Sequence, residues 1–300
     1  MFEAKVPVWV IYTFGAYFFA FLLVTGGVFI WQTARRKDRP PEKFKLLRAP
    51  GETLRRRVQQ ADENFFWYFF SGAFAPLFLA WAVLFVTIRL PKYLVLAGVA
   101  VALLALTAGL IVAGLLLLRF LRRRRNDFLG YLGERAVAEN LESLREQGCR
   151  LFHDVPAEGR DKTFNLDHVV VGPTGVTVVE TKTRRKKKGR PGSDDHVVSC
   201  DGTRLIWPRG EDTCNIDQVV AQADWLRKWI EKRTALRVDP KPVLAIPGWF
   251  VKERTVGTFR VANQKMLARI ITQWKPQSLT AEQIDLICRQ LDERCRDVED

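Results

Sequence analysis

Asp167, Glu180 and Lys182 are the residues whose types and spacing could do chemistry. They lie in Phe164–Lys182, FNLDHVVVGPTGVTVVETK, where two Val-rich runs flank Gly172-Pro173-Thr174-Gly175. β-Branched and aromatic residues on either side of a Gly/Pro turn signal a β-hairpin. If Val171 faces Val176 across that turn, Asp167 faces Glu180, and directly opposed residues have Cβ atoms about 5 Å apart on one face. Strand period two then puts Lys182 on the face of Glu180, with Asn165 opposite it. This register requires that no bulge interrupts the pairing.

Two carboxylates facing each other in buried runs would repel, and each would resist desolvation. A hard divalent cation removes both costs, because Mg²⁺ is typically held by one or two carboxylates plus water and substrate phosphate. A lysine one step along could contact a phosphate or position an attacking water. Spacing alone leaves open an ordinary edge-strand ion pair of Glu180 or Asp167 with Lys182.

Periodicity predicts the elements that would hold these residues. Asp127–Gln147 has helical spacing at Leu132, Ala136, Leu141 and Leu144, with Gly148 as a stop. Leu151–Val155 reads as a strand, and His196–Cys200 with Thr203–Trp207 as a second hairpin about Asp201-Gly202. Asn215–Leu236 reads as a helix, Pro242–Ile246 and Thr258–Ala262 as strands, and Gln264–Thr272 as a helix. A final helix, Thr280–Asp297, opens on a capping-box pattern. The order predicts one mixed sheet flanked by helices, an α/β domain over 126–300.

The first 125 residues differ. They carry 18 Lys/Arg against 6 Asp/Glu, whereas 126–300 carry 29 against 27. The basic balance thus belongs mostly to the first part and is not by itself a sign of nucleic-acid binding. Val6–Trp31, Phe65–Ile88 and Tyr93–Leu118 contain no ionisable Asp, Glu, Lys, Arg or His. Each exceeds the roughly 20 apolar residues that cross a bilayer, so three transmembrane helices are predicted. Their lack of ionisable residues argues against a transporter or channel and for an anchor. The repeat Ala105, Gly109, Ala113 suits close helix packing, within the chain or between copies.

The loop 32–64 holds ten Lys/Arg between Arg35 and Arg57, and Arg119 and Arg122–Arg125 follow the third segment. Only Lys5 and the turn Arg89–Lys92 lie on the other side. The positive-inside rule then gives a multi-pass cell (inner) membrane protein with its N-terminus outside and its C-terminal domain cytoplasmic. Sixteen residues separate Leu118 from Glu134, about 24 Å as a helix, so substrate would come to the membrane. The basic loop could also bind anionic lipid.

Arg184, Arg185, Lys186, Lys187, Lys188 and Arg190 follow directly on Lys182. They read either as a phosphate-backbone clamp or as a solvated or lipid-facing loop. The five cysteines form no C-x-x-C pair and read as thiols, and His153, His168 and His196 show no metal spacing. His168 falls on the face opposite Asp167.

Gly133-Glu134, Asn165-Leu166-Asp167-His168-Val169-Val170, Gly175, Val179-Glu180-Thr181-Lys182 and Asn215-x-x-Gln218 together resemble the nuclease-related domain, NERD. That family is grouped with the PD-(D/E)XK nucleases. The resemblance covers roughly 130–236 well and extends to about 290, with no proline before Asp167. It implies a restriction-endonuclease-like domain in which Asp167 and Glu180 bind Mg²⁺ (or Mn²⁺), Lys182 orients the water, and Glu134 and Gln218 assist. The implied activity is phosphodiester hydrolysis, in DNA more than RNA. A non-catalytic nucleic-acid tether, or a membrane protein binding lipid or a partner, is the alternative.

Overall fold

The computed structural model describes residues 8–35, 45–159, 163–186, 195–253, 258–274 and 277–298. The chain divides into two compact units. One is built on Met1–Lys43 and Gln60–Arg123, the other on Phe44–Gln59 and Arg124–Glu299.

The first unit contains α1 (Val8–Arg35) and most of α2 (Glu52–Thr87) and α3 (Lys92–Leu141). Among the described residues two helices are long and apolar enough to cross a membrane, Glu52–Thr87 and Lys92–Gln147. This corrects the expected three spans. In α1 the described apolar stretch is the shorter Gly15–Gly27. Pro76 stays inside α2. A Cβ on Gly109 would lie 2.8 Å from the Pro76 Cβ, and one on Gly72 would lie 3.4 Å from the Ala113 Cβ. The small residues of α3 therefore seat it against α2 within one chain. Phe18 stacks on Phe78 and Phe21 on Phe70, which docks α1 on α2.

In the second unit, β2 (Arg150–Glu158), β3 (Thr163–Gly172) and β4 (Gly175–Thr181) form an antiparallel meander. β8 (Lys241–Ala245) runs parallel to β4, and β10 (Arg260–Ala262) parallel to β8. The sheet order is β10-β8-β4-β3-β2. The hairpin register is the expected one, with Val171 opposite Val176 and His168 opposite Val179. Gly175 at φ +101° makes the turn in a conformation that favours glycine.

The parallel centre of this sheet needs cover on both faces. Val169, Val171, Val176 and Val178 pack under α4 (Cys214–Thr234) and α6 (Ala281–Arg294), against Leu226, Ile230, Ile287 and Leu291. Val170 and Val179 point the other way. They meet Val137 and Leu141 of α3 and Leu267 and Ile271 of α5 (Leu267–Gln273). The alternation along the hairpin thus feeds two cores. The expected 127–147 helix is the continuation of α3, ending in a 3₁₀ turn, Glu142–Gln147, and Gly148 at φ 78°. The Thr280 capping box is present.

The expectation of one mixed sheet is corrected. β5 (Val197–Cys200), β6 (Leu205–Trp207), β7 (Gly210–Asp212) and β9 (Phe250–Glu253) form a separate four-stranded sheet, ordered β7-β6-β5-β9. β1 (Lys45–Leu47) pairs with β11 (Arg296–Val298), so part of the basic loop folds with this unit.

Candidate functional site

Asp167 and Glu180 sit at the open end of the β3–β4 hairpin, on the face that α4 covers. The backbone N–H of Thr181 donates to Asp167 Oδ2 at 2.6 Å. Gln218 Nε2 donates to Glu180 Oε1 at 2.7 Å, and Gln222 Nε2 to Glu180 Oε2 at 2.8 Å. Gln222, one helical turn after Gln218, is a site residue that the sequence reading missed. Its i,i+4 spacing on the same face was the available signal.

Glu134 reaches the cluster from α3 and is buried, as is Glu180. Burial pushes the Glu134 carboxyl up to about 8, and the nearby charges of Asp154 and Glu180 push the same way. Burial likewise raises Glu180 to about 7, against the pull of the Gln222 amide and the Lys182 charge. Asp167 is raised well above the usual carboxylate range by burial and by Glu180 and Glu134. All three carboxyls resist ionisation, as expected where acids crowd together without an intervening cation.

Lys182 lies just past β4, where its backbone N–H donates to the Ala245 carbonyl at 2.8 Å. Gly133 explains how α3 comes so close. A Cβ there would lie 1.9 Å from Thr183 Cγ2, so only glycine lets the helix carrying Glu134 pack beside the segment carrying Lys182.

A fourth carboxylate, Asp154, escaped the sequence reading. It is buried on β2, between His153 and Val155, which pair with His168 and Leu166, and so stands level with Asp167. Its backbone has φ 49°. Arg48 pairs with its Oδ2 at 2.9 Å, the Thr53 hydroxyl donates to the same oxygen at 2.7 Å, and Asn165 Nδ2 donates to Oδ1 at 2.8 Å. Residues 48–53 of the basic loop therefore brace the acidic cluster, and Arg57 exerts a favourable field on Glu134.

His153 and His168 share a buried Nδ1···Nδ1 contact of 2.8 Å, and His168 Nε2 meets the Thr181 hydroxyl at 3.2 Å. Burial lowers His153 to about 4 and His168 well below its ordinary value. His168 is thus a packed histidine, with Thr181 linking it to the strand end that holds Asp167. Cys149, Cys200, Cys288 and Cys295 are free and buried.

Arg184, Arg185 and Lys186 are exposed, while Lys187, Lys188 and Arg190 lie outside the described residues. Arg185 donates to Asn126 Oδ1 at 2.9 Å and to the Arg125 carbonyl at 2.8 Å, so it braces its loop. The Arg184 guanidinium lies 4.7 Å over Trp207, and the Lys186 ammonium 5.5 Å over Trp249. Arg184, Arg185, Trp207 and Trp249, with Arg209 and Asp195, border a groove beside the second sheet.

The donor set fits a hard divalent cation. A carboxylate has about four lone-pair sites, and Asp167 and Glu180 each spend only part of theirs on N–H donors. Among the described residues no three His, Cys, Asp or Glu side chains gather closely enough to form a cage by themselves. A cation here would take Asp167 and Glu180 as protein ligands and complete its shell with water and substrate oxygen, the usual habit of Mg²⁺.

A mixed sheet presenting crowded carboxylates and a lysine at one hairpin end, backed by glutamines from the following helix, defines the site of this α/β domain. Residues 129–247 match the family model described as the nuclease-related domain, NERD, consistent with the PD-(D/E)XK nuclease superfamily. No curated protein and no solved structure matches the chain.

Proposed function

We propose that this protein is a membrane-anchored, Mg²⁺-dependent nuclease that hydrolyses phosphodiester bonds, in DNA more than RNA. The observation that carries this reading is the meeting of Glu134, Asp167 and Glu180, all resisting ionisation, at the strand end that leads into Lys182.

Asp167 and Glu180 would hold the cation (Mg²⁺, with Mn²⁺ as a substitute), and Gln218 and Gln222 would fix the Glu180 carboxylate. Bound there, the cation supplies Lewis-acid polarisation of the phosphodiester and a lowered pKa of water. Lys182 would orient the attacking water or the phosphate. Glu134, with its carboxyl near 8, can hold or release a proton near neutral pH. Arg184, Lys186 and Arg209 would attract the phosphate backbone.

The two long apolar helices support membrane association. Basic residues flank the apolar part of both on one side, Arg55–Arg57 near the start of α2 and Arg122–Arg125 in α3, which favours a cytoplasmic nuclease domain. The same basic residues could touch anionic lipid.

The engagement of both Glu180 oxygens by amides favours a second reading, a non-catalytic nucleic-acid tether. One experiment separates them. Full-length protein in detergent and its Lys182→Ala variant are incubated with single-stranded, duplex and branched DNA and with RNA, in Mg²⁺ or EDTA. Cleavage that needs both Mg²⁺ and Lys182 supports the nuclease. Tight, salt-sensitive binding by both proteins without cleavage supports the tether. The full chain is required because Arg48 and Thr53 brace Asp154.

A further inference from the structure

The acidic cluster has an aromatic neighbour that the proposed chemistry does not use. Phe164, Gln218, Ala221, Gln222 and Trp225 line a cavity of ≈ 390 Å³. Two of its walls, Gln218 and Gln222, are the amides that hold Glu180. The cavity therefore begins one side chain away from the carboxylate that would bind the cation. It falls in the size range of small-ligand sites, and its lining is mainly apolar, as such sites are.

Trp225 is held in place rather than merely packed. Its indole N–H donates to the Glu158 carbonyl at 2.9 Å. Its ring stacks on Trp229 at 15° with centroids 6.1 Å apart, and Phe164 meets it edge-on at 5.7 Å. The Arg294 guanidinium lies 5.4 Å from the Trp225 centroid and 5.5 Å from that of Trp229. An aromatic plate fixed from several directions loses little entropy when a flat ring settles on it. Gln218 is exposed and uses one N–H of its amide on Glu180, so it keeps the other N–H and its acceptor oxygen for a ligand. Gln222 is buried, and its Oε1 has no hydrogen-bond partner among the described residues.

We infer that this cavity is a nucleobase pocket, which takes one unstacked base next to the scissile phosphodiester on Trp225 and Phe164. The inference rests on the nuclease reading and narrows it. Substrate must present an unpaired base at that position, so single-stranded, frayed or branched nucleic acid is the substrate class, and continuous duplex is not. Base-on-aromatic stacking is tolerant of base identity.

The test is fluorescence anisotropy of labelled single-stranded oligonucleotides on the full-length protein in EDTA, where binding is read without metal-dependent cleavage. In a series carrying one abasic position at a time, one position should weaken binding by about 5- to 150-fold, the range for one stacked base. Trp225→Leu should weaken binding of the intact oligonucleotide by a similar factor and be indifferent to that abasic position. Trp225→Phe keeps a plate and should stay within a few-fold of wild type. If the wild-type protein binds every abasic oligonucleotide as tightly as the intact one, the pocket is overturned while the nuclease reading stands. If the wild-type protein binds no oligonucleotide at moderate salt, both are overturned.

Discussion

Glu134→Gln should stabilise the nuclease-like unit, and do so only above the ordinary carboxylate range. Glu134 moves from 4.5 to about 8 in the folded protein. A raised folded pKa means that the folded state holds a proton the unfolded state has released. Stability is therefore lost as pH rises from about 4.5 to about 8. At about 1.36 kcal/mol per pKa unit, the loss is about 3 kcal/mol at pH 7 and is fully developed above pH 8. Part of the repulsion is shared with Asp154 and Glu180, so one neutral isostere should recover about 1–3 kcal/mol. His153 and His168, lowered by burial, act in the opposite sense. They add stability as pH rises through their folded values toward 6.5, and they cancel in the difference between variant and wild type. The assay is native-state hydrogen exchange of the β4 amides in full-length, detergent-solubilised protein in EDTA, from pH 5 to pH 8. The variant should match wild type near pH 5 and exceed it increasingly toward pH 8. A difference independent of pH, or a variant less stable at pH 8, would refute the crowded-carboxyl account.

Three further outcomes follow from the same geometry. Gly133→Ala places a Cβ 1.9 Å from Thr183 Cγ2. Overpacking should cost about 1–3 kcal/mol, and displacing Glu134 by about 1 Å should lower kcat/KM about 100-fold. Thr183→Ser in the same chain, which removes the clashing methyl, should restore most of both, read by thermal unfolding and cleavage rate. Arg48→Met breaks the buried pair with Asp154 and should destabilise the unit by about 3 kcal/mol. Adding Asp154→Asn should recover much of that loss in urea unfolding. Mg²⁺ binding should release protons at pH 6 from its ligands, Asp167, held well above the usual carboxylate range, and Glu180 at about 7, and fewer above pH 8. Calorimetry in buffers of different ionisation enthalpy counts them, and release independent of pH would contradict the assignment.

The hairpin was legible in the sequence because two local signals agree, a Gly/Pro turn and an unbroken alternation that feeds two cores. Its register carried Asp167 and Glu180 to one place, and the NERD resemblance, through Asn215-x-x-Gln218, implied that the later helix joins them. Asp154 was not legible. Its role depends on a φ of 49° and on Arg48 and Thr53, about a hundred residues away in sequence, and a single Asp within a strand gives no periodic signal. Of the second sheet, the β5–β6 hairpin about Asp201-Gly202 was legible, whereas β7 and β9 were not. They have three and four residues, too few for a period of two to show. Arg185 could be read only as one more cation in a basic run. Its bonds to Asn126 and Arg125 make it a brace instead.

Glu180 is the point at which the cation, Gln218, Gln222 and the base pocket meet, so it gives the most direct measurement. Full-length wild type and Glu180→Gln are compared for cleavage of labelled single-stranded and branched DNA with Mg²⁺ or EDTA, alongside thermal unfolding of both. Wild type should cleave only with Mg²⁺, and Glu180→Gln should stay folded while losing at least about 100-fold in rate. Undiminished cleavage by a folded Glu180→Gln protein, or cleavage by wild type in EDTA, would contradict the account.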